Sequence, residues 1–167
     1  MEENKTLDIL KKAILLEKRG KSFYTTVAGQ TDKQAVRRFF EQMAEEEDNH
    51  IRVLSEQFKS YSETNRLLSP AYDTQHSTGY ASEVINTEIK EQIEGADFEA
   101  AAITAAMAME KNAITLYSRR AEETQDENEK ALYTWLSNWE KSHLEFLAAI
   151  DREVTERVWH DNNFWPF

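Results

Sequence analysis

The chain carries an internal repeat at a spacing of 93 residues, and no other feature of the sequence limits its fold as strongly. LEKRGKSFYTTVA in the first half aligns without a gap with MEKNAITLYSRRA in the second, and EDNHIRVL aligns with EKSHLEFL. Apolar residues recur in these segments at steps of three and four, the period of an α-helix with one buried face. The repeat therefore indicates a duplicated pair of helices whose equivalent residues are related by an approximate twofold axis.

Turn-forming residues divide the chain into separate helices. Residues 62–81 are rich in turn formers, among them Pro70 and Gly79, and are interpreted as a connection, whereas residues 82–94 are interpreted as a short helix. The four long helices are predicted over about residues 6–28, 32–61, 97–123 and 126–158. An aspartate is predicted to cap each of the last three at its N-terminus, namely Asp32, Asp97 and Asp126.

Four long helices with a long link between the second and the third predict an all-α fold. The expected architecture is an antiparallel four-helix bundle, in which two helix pairs are joined by a long crossover that contains the short extra helix. A chain of 167 residues suffices for one well-buried domain, which we place at residues 1–160. The aromatic C-terminal tail, residues 161–167, is expected to pack on the bundle or on a partner subunit.

Charge and composition exclude several classes of partner and site. The formal net charge of −11 argues against nucleic acid and anionic membranes as partners, and it is compatible with cations. No cysteine is present, which excludes disulfides, thiolate ligands and a cysteine nucleophile. The start, MEENKTLDIL, lacks the pattern of a signal peptide, and no apolar run reaches membrane-spanning length, so we expect a cytoplasmic protein.

Four glutamates and two histidines stand at equivalent places in the two halves. Each half has a glutamate followed 30 residues later by the motif Glu-x-x-His, whose two polar side chains share one helix face. In the predicted second helix, Glu47 and His50 fall on the same stripe as the apolar residues, so both side chains should point into the bundle. The fourth helix repeats this pattern. The six candidate metal ligands are Glu17, Glu47, His50, Glu110, Glu140 and His143.

The inward carboxylates predict a metal site. Four carboxylates inside a bundle would be costly to bury as bare charges and would otherwise have to bind protons. Two divalent cations would balance the four negative charges, and oxygen and imidazole ligands suit iron or manganese. A single Glu-x-x-His arises easily among 31 acidic residues, but two in the same register do not. A site that has lost its metal is the alternative.

This ligand pattern resembles that of the ferritin-like superfamily, and most closely the ferritin-like domain of rubrerythrins, over almost the whole chain. The resemblance implies that Glu47 and Glu140 bridge two metal ions. It also implies that Glu17 and Glu110 are terminal ligands, and that His50 and His143 each bind one metal. Catalysis at such a site runs through the metals that the four glutamates hold.

The resemblance also implies a function. Rubrerythrins typically reduce hydrogen peroxide at such a site, and the related ferritins oxidise Fe(II) with O2 or peroxide. Two iron ions are therefore the expected cofactors, with manganese or a mixed-metal site as the alternative. The expected partners are peroxide or O2 and an electron donor, and the expected oligomer is a homodimer. Non-catalytic iron binding and a structural helical bundle with a degenerate site are the alternative functions.

The chain departs from the rubrerythrin pattern in two respects. Rubrerythrins usually carry a further glutamate three residues after the third-helix ligand, where this chain has Ala113. The chain also has no cysteine with which to form the rubredoxin module of the family. These departures keep non-catalytic iron binding open as an alternative.

Other residues near the motifs receive simpler interpretations. Tyr24 and Tyr117 lie two turns after the first-helix and third-helix glutamates, and we expect core tyrosines, with a redox role or a contact to the metal ligands as the alternative. Glu45, Glu46 and Asp48 are predicted to form a solvated face, because they point away from the inward stripe. Four further residues are predicted to be packing, structural or exposed positions: Met107, Met109, His76 and His160.

Overall fold

The computed structural model describes residues 2–69, 83–93 and 97–161. Within these ranges it consists of five α-helices and has no strand, which confirms the predicted all-α fold. Pro70, Gly79, His76 and the aromatic residues of the C-terminal tail lie outside the described residues, so the predictions for them stay predictions. The helices are α1 (Glu2–Gln30), α2 (Gln34–Thr64), α3 (Glu83–Gln92), α4 (Phe98–Glu123) and α5 (Glu127–Asp161).

The long helices form two antiparallel hairpins, α1 with α2 and α4 with α5. Only three residues join the helices of each hairpin, which forces neighbouring helices to run in opposite directions. The helix ends keep the spacing of the sequence repeat, because α1 and α4 end 93 residues apart and α2 and α5 begin 93 residues apart. The hairpins pack on each other through α1 and α4 and through side-chain contacts of α2 with α5, and α3 lies against α2 and α5. The predicted duplication is therefore a duplicated hairpin.

Two apolar clusters fill the bundle, and a band of polar residues separates them. The first cluster includes Phe40 and Met43, and the second includes Leu54 and Tyr117. Along each long helix the buried residues of one cluster give way to those of the other where a candidate ligand occurs. The change falls at Glu17 on α1, Glu47 and His50 on α2, Glu110 on α4, and Glu140 and His143 on α5. Apolar burial on both sides thus holds the polar band in place.

Two of the three predicted aspartate caps are confirmed. The Asp97 side chain accepts a hydrogen bond of 3.0 Å from the backbone N–H of Ala100 at the start of α4. Asp126 accepts one of 2.9 Å from the backbone N–H of Glu129 in the first turn of α5. Each bond satisfies a donor that has no partner within the helix.

The third predicted cap, Asp32, is wrong. The N-cap residue of α2 is Lys33, which makes no side-chain cap bond. The hydroxyl of Thr31 accepts a hydrogen bond of 3.2 Å from the backbone N–H of Lys33, and Thr124 accepts the equivalent bond, also of 3.2 Å, from the N–H of Asp126. The repeat accounts for the difference, since Lys33 aligns with Asp126, the residue that caps α5.

The remaining helix bounds differ from the prediction by a few residues at the ends, where helix limits are least certain. The second long helix continues to Thr64 and stops at Asn65, whose left-handed conformation (φ 55°) ends the helix. His160, near the end of α5, is exposed as predicted. In the described part of the chain, no helix is long and apolar enough to cross a membrane.

Candidate metal centre

The six candidate ligands converge inside the bundle, at the polar band between the two apolar clusters. Helices α1 and α4 each supply one glutamate, and α2 and α5 each supply a Glu-x-x-His pair on one helix face. Each of the six residues exposes 3% or less of its surface. All six therefore point inward, in the direction that the apolar stripes predict.

Their ligand atoms fall into two overlapping groups, each compact enough to hold one metal ion. Within a group, one atom of each residue lies within 4.8 Å of the chosen atoms of the others. The first group, which we call the His50 position, consists of Glu17, Glu47, His50 and Glu140. The second group, the His143 position, consists of Glu47, Glu110, Glu140 and His143. Glu47 and Glu140 belong to both groups.

Both histidines turn Nδ1 toward the carboxylates. Nδ1 of His50 lies 3.0 Å from one oxygen of Glu140 and 3.1 Å from an oxygen of Glu17. Nδ1 of His143 lies 3.2 Å from the other oxygen of Glu140 and 3.6 Å from an oxygen of Glu110. An ionised carboxylate has two acceptor oxygens, and Glu140 directs one toward each histidine. This is the arrangement required of a carboxylate shared by two metal positions.

Two buried tyrosines contact the remaining glutamates from the opposite half of the repeat. The hydroxyl of Tyr24 donates to Glu110, and the hydroxyl of Tyr117 donates to Glu17. Burial, followed by the charge of the bonded glutamate, raises the pKa of both phenols, so they remain donors at neutral pH. These tyrosines therefore pack in the core and also contact candidate ligands.

When no cation is bound, protons must balance the negative charge of the buried glutamates. Burial, followed by the charges of neighbouring glutamates, raises the pKa of Glu47 well above its usual range. Burial, followed by the charge of Glu140, raises the pKa of Glu110 to about 8. Burial alone would lower the pKa of His50 and of His143, but their carboxylate neighbours outweigh it and raise both. The cluster thus attracts positive charge.

The donor set fits two divalent cations. Among the described residues, none donates a hydrogen bond to either buried oxygen of Glu140, although each oxygen lies near a histidine. A buried carboxylate without compensation is costly, and metal ions would satisfy both oxygens. Four carboxylates and two imidazoles without a thiolate are ligands suited to iron or manganese. The residues therefore fit a di-metal site.

Comparison with known families agrees with this fold and this cluster. The family model of rubrerythrin matches residues 8–151, a range that includes all six candidate ligands. The chain belongs to the rubrerythrin family. The match confirms the resemblance carried by the two Glu-x-x-His motifs and covers the ferritin-like domain. Comparison with curated proteins gives no match, and comparison with solved structures gives none either.

A cavity of about 180 Å³ opens onto the carboxylates between α1 and α4. Two small residues line it at equivalent positions of the repeat, Gly20 and Ala113. A Cβ at residue 20 would lie 3.4 Å from Cδ of Glu47, an ordinary van der Waals contact, so this carboxylate lies directly beside α1. Ala113, where the usual family glutamate is absent, forms part of the cavity wall. Met109 also lines the cavity, whereas Met107 packs on the first apolar cluster, as predicted.

The prediction from the sequence missed one residue that contacts the candidate metal centre, Glu46. The prediction that Glu46 is solvated together with Glu45 and Asp48 is wrong for Glu46 and correct for the other two, which are exposed. Oε2 of Glu46 accepts hydrogen bonds from Nε2 of His143 at 2.7 Å and from Nε1 of Trp139 at 2.8 Å. The period of α2 alone places residue 46 off the inward face, and only the packing of α5 brings these partners to it. The sequence repeat does offer one signal for the contact between Glu46 and Trp139, because the two residues occupy equivalent positions in the two halves.

Proposed function

We propose that this chain is a di-iron protein that reacts Fe(II) with hydrogen peroxide or O2. The observation that carries the proposal is the pair of overlapping buried ligand groups that share Glu47 and Glu140. In this assignment the two shared glutamates would help to hold both irons. One terminal glutamate and one histidine complete each position, Glu17 with His50 and Glu110 with His143.

The surroundings of the site suit a reaction with a small oxidant. Iron held by these six residues would supply, as two Fe(II) ions, the two electrons needed to reduce one hydrogen peroxide with two protons to two water molecules. Tyr24 and Tyr117 orient the terminal carboxylates through their hydrogen bonds. The cavity beside Ala113 has room for hydrogen peroxide or O2 next to the carboxylates, and the apolar clusters keep bulk water away. An electron donor must return the electrons for repeated turnover.

The identity of the metal is proposed from the family, because the ligands accept iron and manganese alike. Elemental analysis of protein purified without added metal would distinguish iron, manganese and a mixed-metal site. Anomalous scattering at the iron and manganese absorption edges would then assign each metal to its position. Manganese alone at both positions would contradict the proposed di-iron centre.

The reaction is tested by loading the protein anaerobically with two equivalents of Fe(II) and then adding hydrogen peroxide. We expect peroxide consumption and iron oxidation much faster than for free Fe(II) in the same buffer. Glu140→Gln removes a shared carboxylate charge at nearly constant size and should abolish the fast phase, whereas the exposed Glu45→Gln should not. Oxidation no faster than that of free Fe(II), in protein shown to hold two irons, would contradict the proposal.

Non-catalytic iron binding is the second candidate, and Ala113 favours it because a carboxylate is usual there in rubrerythrins. Stoichiometric binding of Fe(II) without peroxide consumption would support this candidate. A structural bundle with a degenerate site is the third. It would be supported if the wild-type protein bound no metal and Glu47→Ala raised its stability.

The partners of the chain are proposed by analogy. Neighbouring subunits commonly pair in the ferritin-like superfamily, so we propose a homodimer. Sedimentation equilibrium measures the mass directly, and a monomer at micromolar concentration would contradict this proposal. The cytoplasmic location stays a prediction.

A further inference from the structure

The two halves of the repeat differ at a pair of positions beside the candidate metal centre. Glu46 aligns with Trp139, and each immediately precedes the glutamate of a Glu-x-x-His motif. In a symmetric centre both would act in the same way on the histidine of the opposite half. Instead the two side chains are bonded to each other, with Nε1 of Trp139 donating to Oε2 of Glu46 at 2.8 Å. Glu46 accepts a hydrogen bond from His143, whereas the aligned Trp139 cannot accept one from His50.

The carboxylate of Glu46 fixes the orientation and the tautomer of His143. Its Oε2 lies 2.7 Å from Nε2, so when the ring is neutral, as a metal ligand must be, its proton is on Nε2 and the lone pair of Nδ1 faces the cluster. Only 12% of the Glu46 side chain is exposed, so water competes little for this bond. A carboxylate that accepts the outer N–H of a ligand histidine raises the basicity of the ring and holds it in place for the metal.

His50 has a different environment on its outer side. Its Nε2 is buried and has no hydrogen-bond partner among the residues that the structure describes. The rings of Trp135 and Trp139 stand nearly perpendicular to the imidazole, with centroids 5.5 and 5.6 Å away. An indole offers an N–H donor but no nitrogen or oxygen acceptor. The two tryptophans therefore pack against His50 without fixing its tautomer.

We propose that the two metal positions are unequal, the His143 position binding a divalent metal first and more tightly, with Glu46 as the positioning residue responsible. The inference rests on the proposed di-metal site and adds an order of loading to it. Loss of the outer partner of a ligand histidine typically lowers metal affinity about 10- to 100-fold, so the two dissociation constants should differ by that factor.

Cobalt(II) is a suitable probe, because it is stable in air and scatters anomalously. Calorimetric titration of the metal-free protein should show two binding steps whose affinities differ about 10- to 100-fold. Crystals of protein given one equivalent should show stronger anomalous scattering at the His143 position than at the His50 position. Equal occupancy, or a stronger signal at the His50 position, would overturn the inference, and this measurement needs no variant.

Substitution of Glu46 tests its role directly. Glu46→Gln removes the charge at constant length and should weaken the tighter step about tenfold or more, so that the two steps approach each other. Glu45→Gln makes the same change of charge on the neighbouring exposed residue and should leave both steps unchanged. Glu46→Asp restores the carboxylate and should recover part of the separation. A separation that persists in Glu46→Gln would show that Glu46 does not set the order.

A proton signal distinguishes positioning from a general effect on stability. With one equivalent of Co(II), the Nε2 proton of His143 should give a paramagnetically shifted NMR resonance that is lost in D2O. Glu46→Gln should speed its exchange and broaden it, and Glu45→Gln should not. A protein that binds no cobalt would contradict the di-metal proposal itself, whereas two equal sites would contradict only the order of loading.

Discussion

At the scale of single residues, the buried carboxylates depend on the donors that reach them from other helices. Glu17 on α1 accepts from Tyr117 on α4, and Glu110 on α4 accepts from Tyr24 on α1. Because buried polar atoms need partners, each hydroxyl stabilises the carboxylate oxygen to which it donates. The two contacts are also equivalent under the repeat, so they tie the two hairpins together symmetrically.

Tyr117→Phe removes the hydroxyl that donates to Glu17 and leaves the aromatic ring in the core. Because Glu17 is only 1% exposed, water cannot replace this donor, and we expect the free energy of unfolding of the metal-free protein to fall by about 1–3 kcal/mol. Urea denaturation at neutral pH measures the change. Tyr24→Phe should give a similar loss, and unchanged stability in both variants would show that these hydroxyls do not support the carboxylates.

The metal-free protein should lose stability as the pH rises. The pKa of Glu110 is about 8 in the folded chain against an ordinary value of 4.5, so between these values the folded state holds a proton that the unfolded state has released. The stability that this proton contributes is complete below about pH 4.5 and is lost as the pH rises through about 8. The raised pKa values of His50 and His143 act in the same direction. The lowered pKa of Glu140 acts in the opposite direction, and only in acid.

The melting temperature of the metal-free protein, measured in the presence of a chelator, should therefore fall as the pH is raised from about 5.5 to about 9. Metal-loaded protein is the control, because metal ligands must lose their protons to bind and apparent affinity rises with pH. The difference in melting temperature between the loaded and the metal-free protein should widen as the pH rises. A difference that narrows instead would contradict the assignment of protons to this cluster.

The sequence predicts which residues face the centre, because helical period and repeat together place each of the six candidate ligands on an inward stripe. It does not predict which atoms meet across helices. The contact of Tyr117 with Glu17 and the bond from His143 to Glu46 depend on the rotation of one helix against another. The period of a single helix carries no information about that rotation.

At the scale of helices, polar bonds tie the ends of the hairpins in two different ways. At the connection between α4 and α5, Arg120 makes two hydrogen bonds to Glu129, of 2.8 and 2.6 Å, and Thr124 also donates to this carboxylate. At the connection between α1 and α2, Thr31 donates at 2.6 Å to Glu99 in the first turn of α4. Thr124 thus helps to close its own hairpin, whereas Thr31, its equivalent in the repeat, joins the two hairpins.

Arg120→Ala should destabilise the fold strongly. The change leaves Glu129, which is 1% exposed, as a buried charge without its partner, and such losses amount to about 3–5 kcal/mol. Arg119→Ala is the matched control, since this neighbouring arginine pairs with Glu123 on the surface and should contribute little. Urea denaturation compares the two variants. Equal losses would show that burial of the Arg120 pair is unimportant.

The number, order and pairing of the helices follow from the sequence, because long apolar periods and short connections leave few other arrangements. The starts of the helices are less well determined. Asp32 has the right chemistry for a cap, yet α2 begins one residue later and its N-cap is Lys33. The type of a residue does not by itself fix where a helix starts to within one residue.

At the scale of the whole molecule, the two apolar clusters account for the helix packing, and the polar band between them is where metal would add stability. A ligand that binds only the folded state at 100 times its dissociation constant adds about 2.7 kcal/mol. Removal of metal from the loaded protein by a chelator should therefore lower the melting temperature, as scanning calorimetry would show. No change, in protein shown to have lost its metal, would mean that the cluster gains nothing from cations.

Each metal position, as proposed, takes three residues from one half of the chain and one shared glutamate from the other. A single hairpin therefore completes neither position, whereas two copies of one hairpin would complete both. The chain thus corresponds to a symmetric dimer fused into one polypeptide. In such a dimer the same amino acid would have to precede both Glu-x-x-His motifs. In a single chain the two positions can differ, as glutamate at 46 and tryptophan at 139 do.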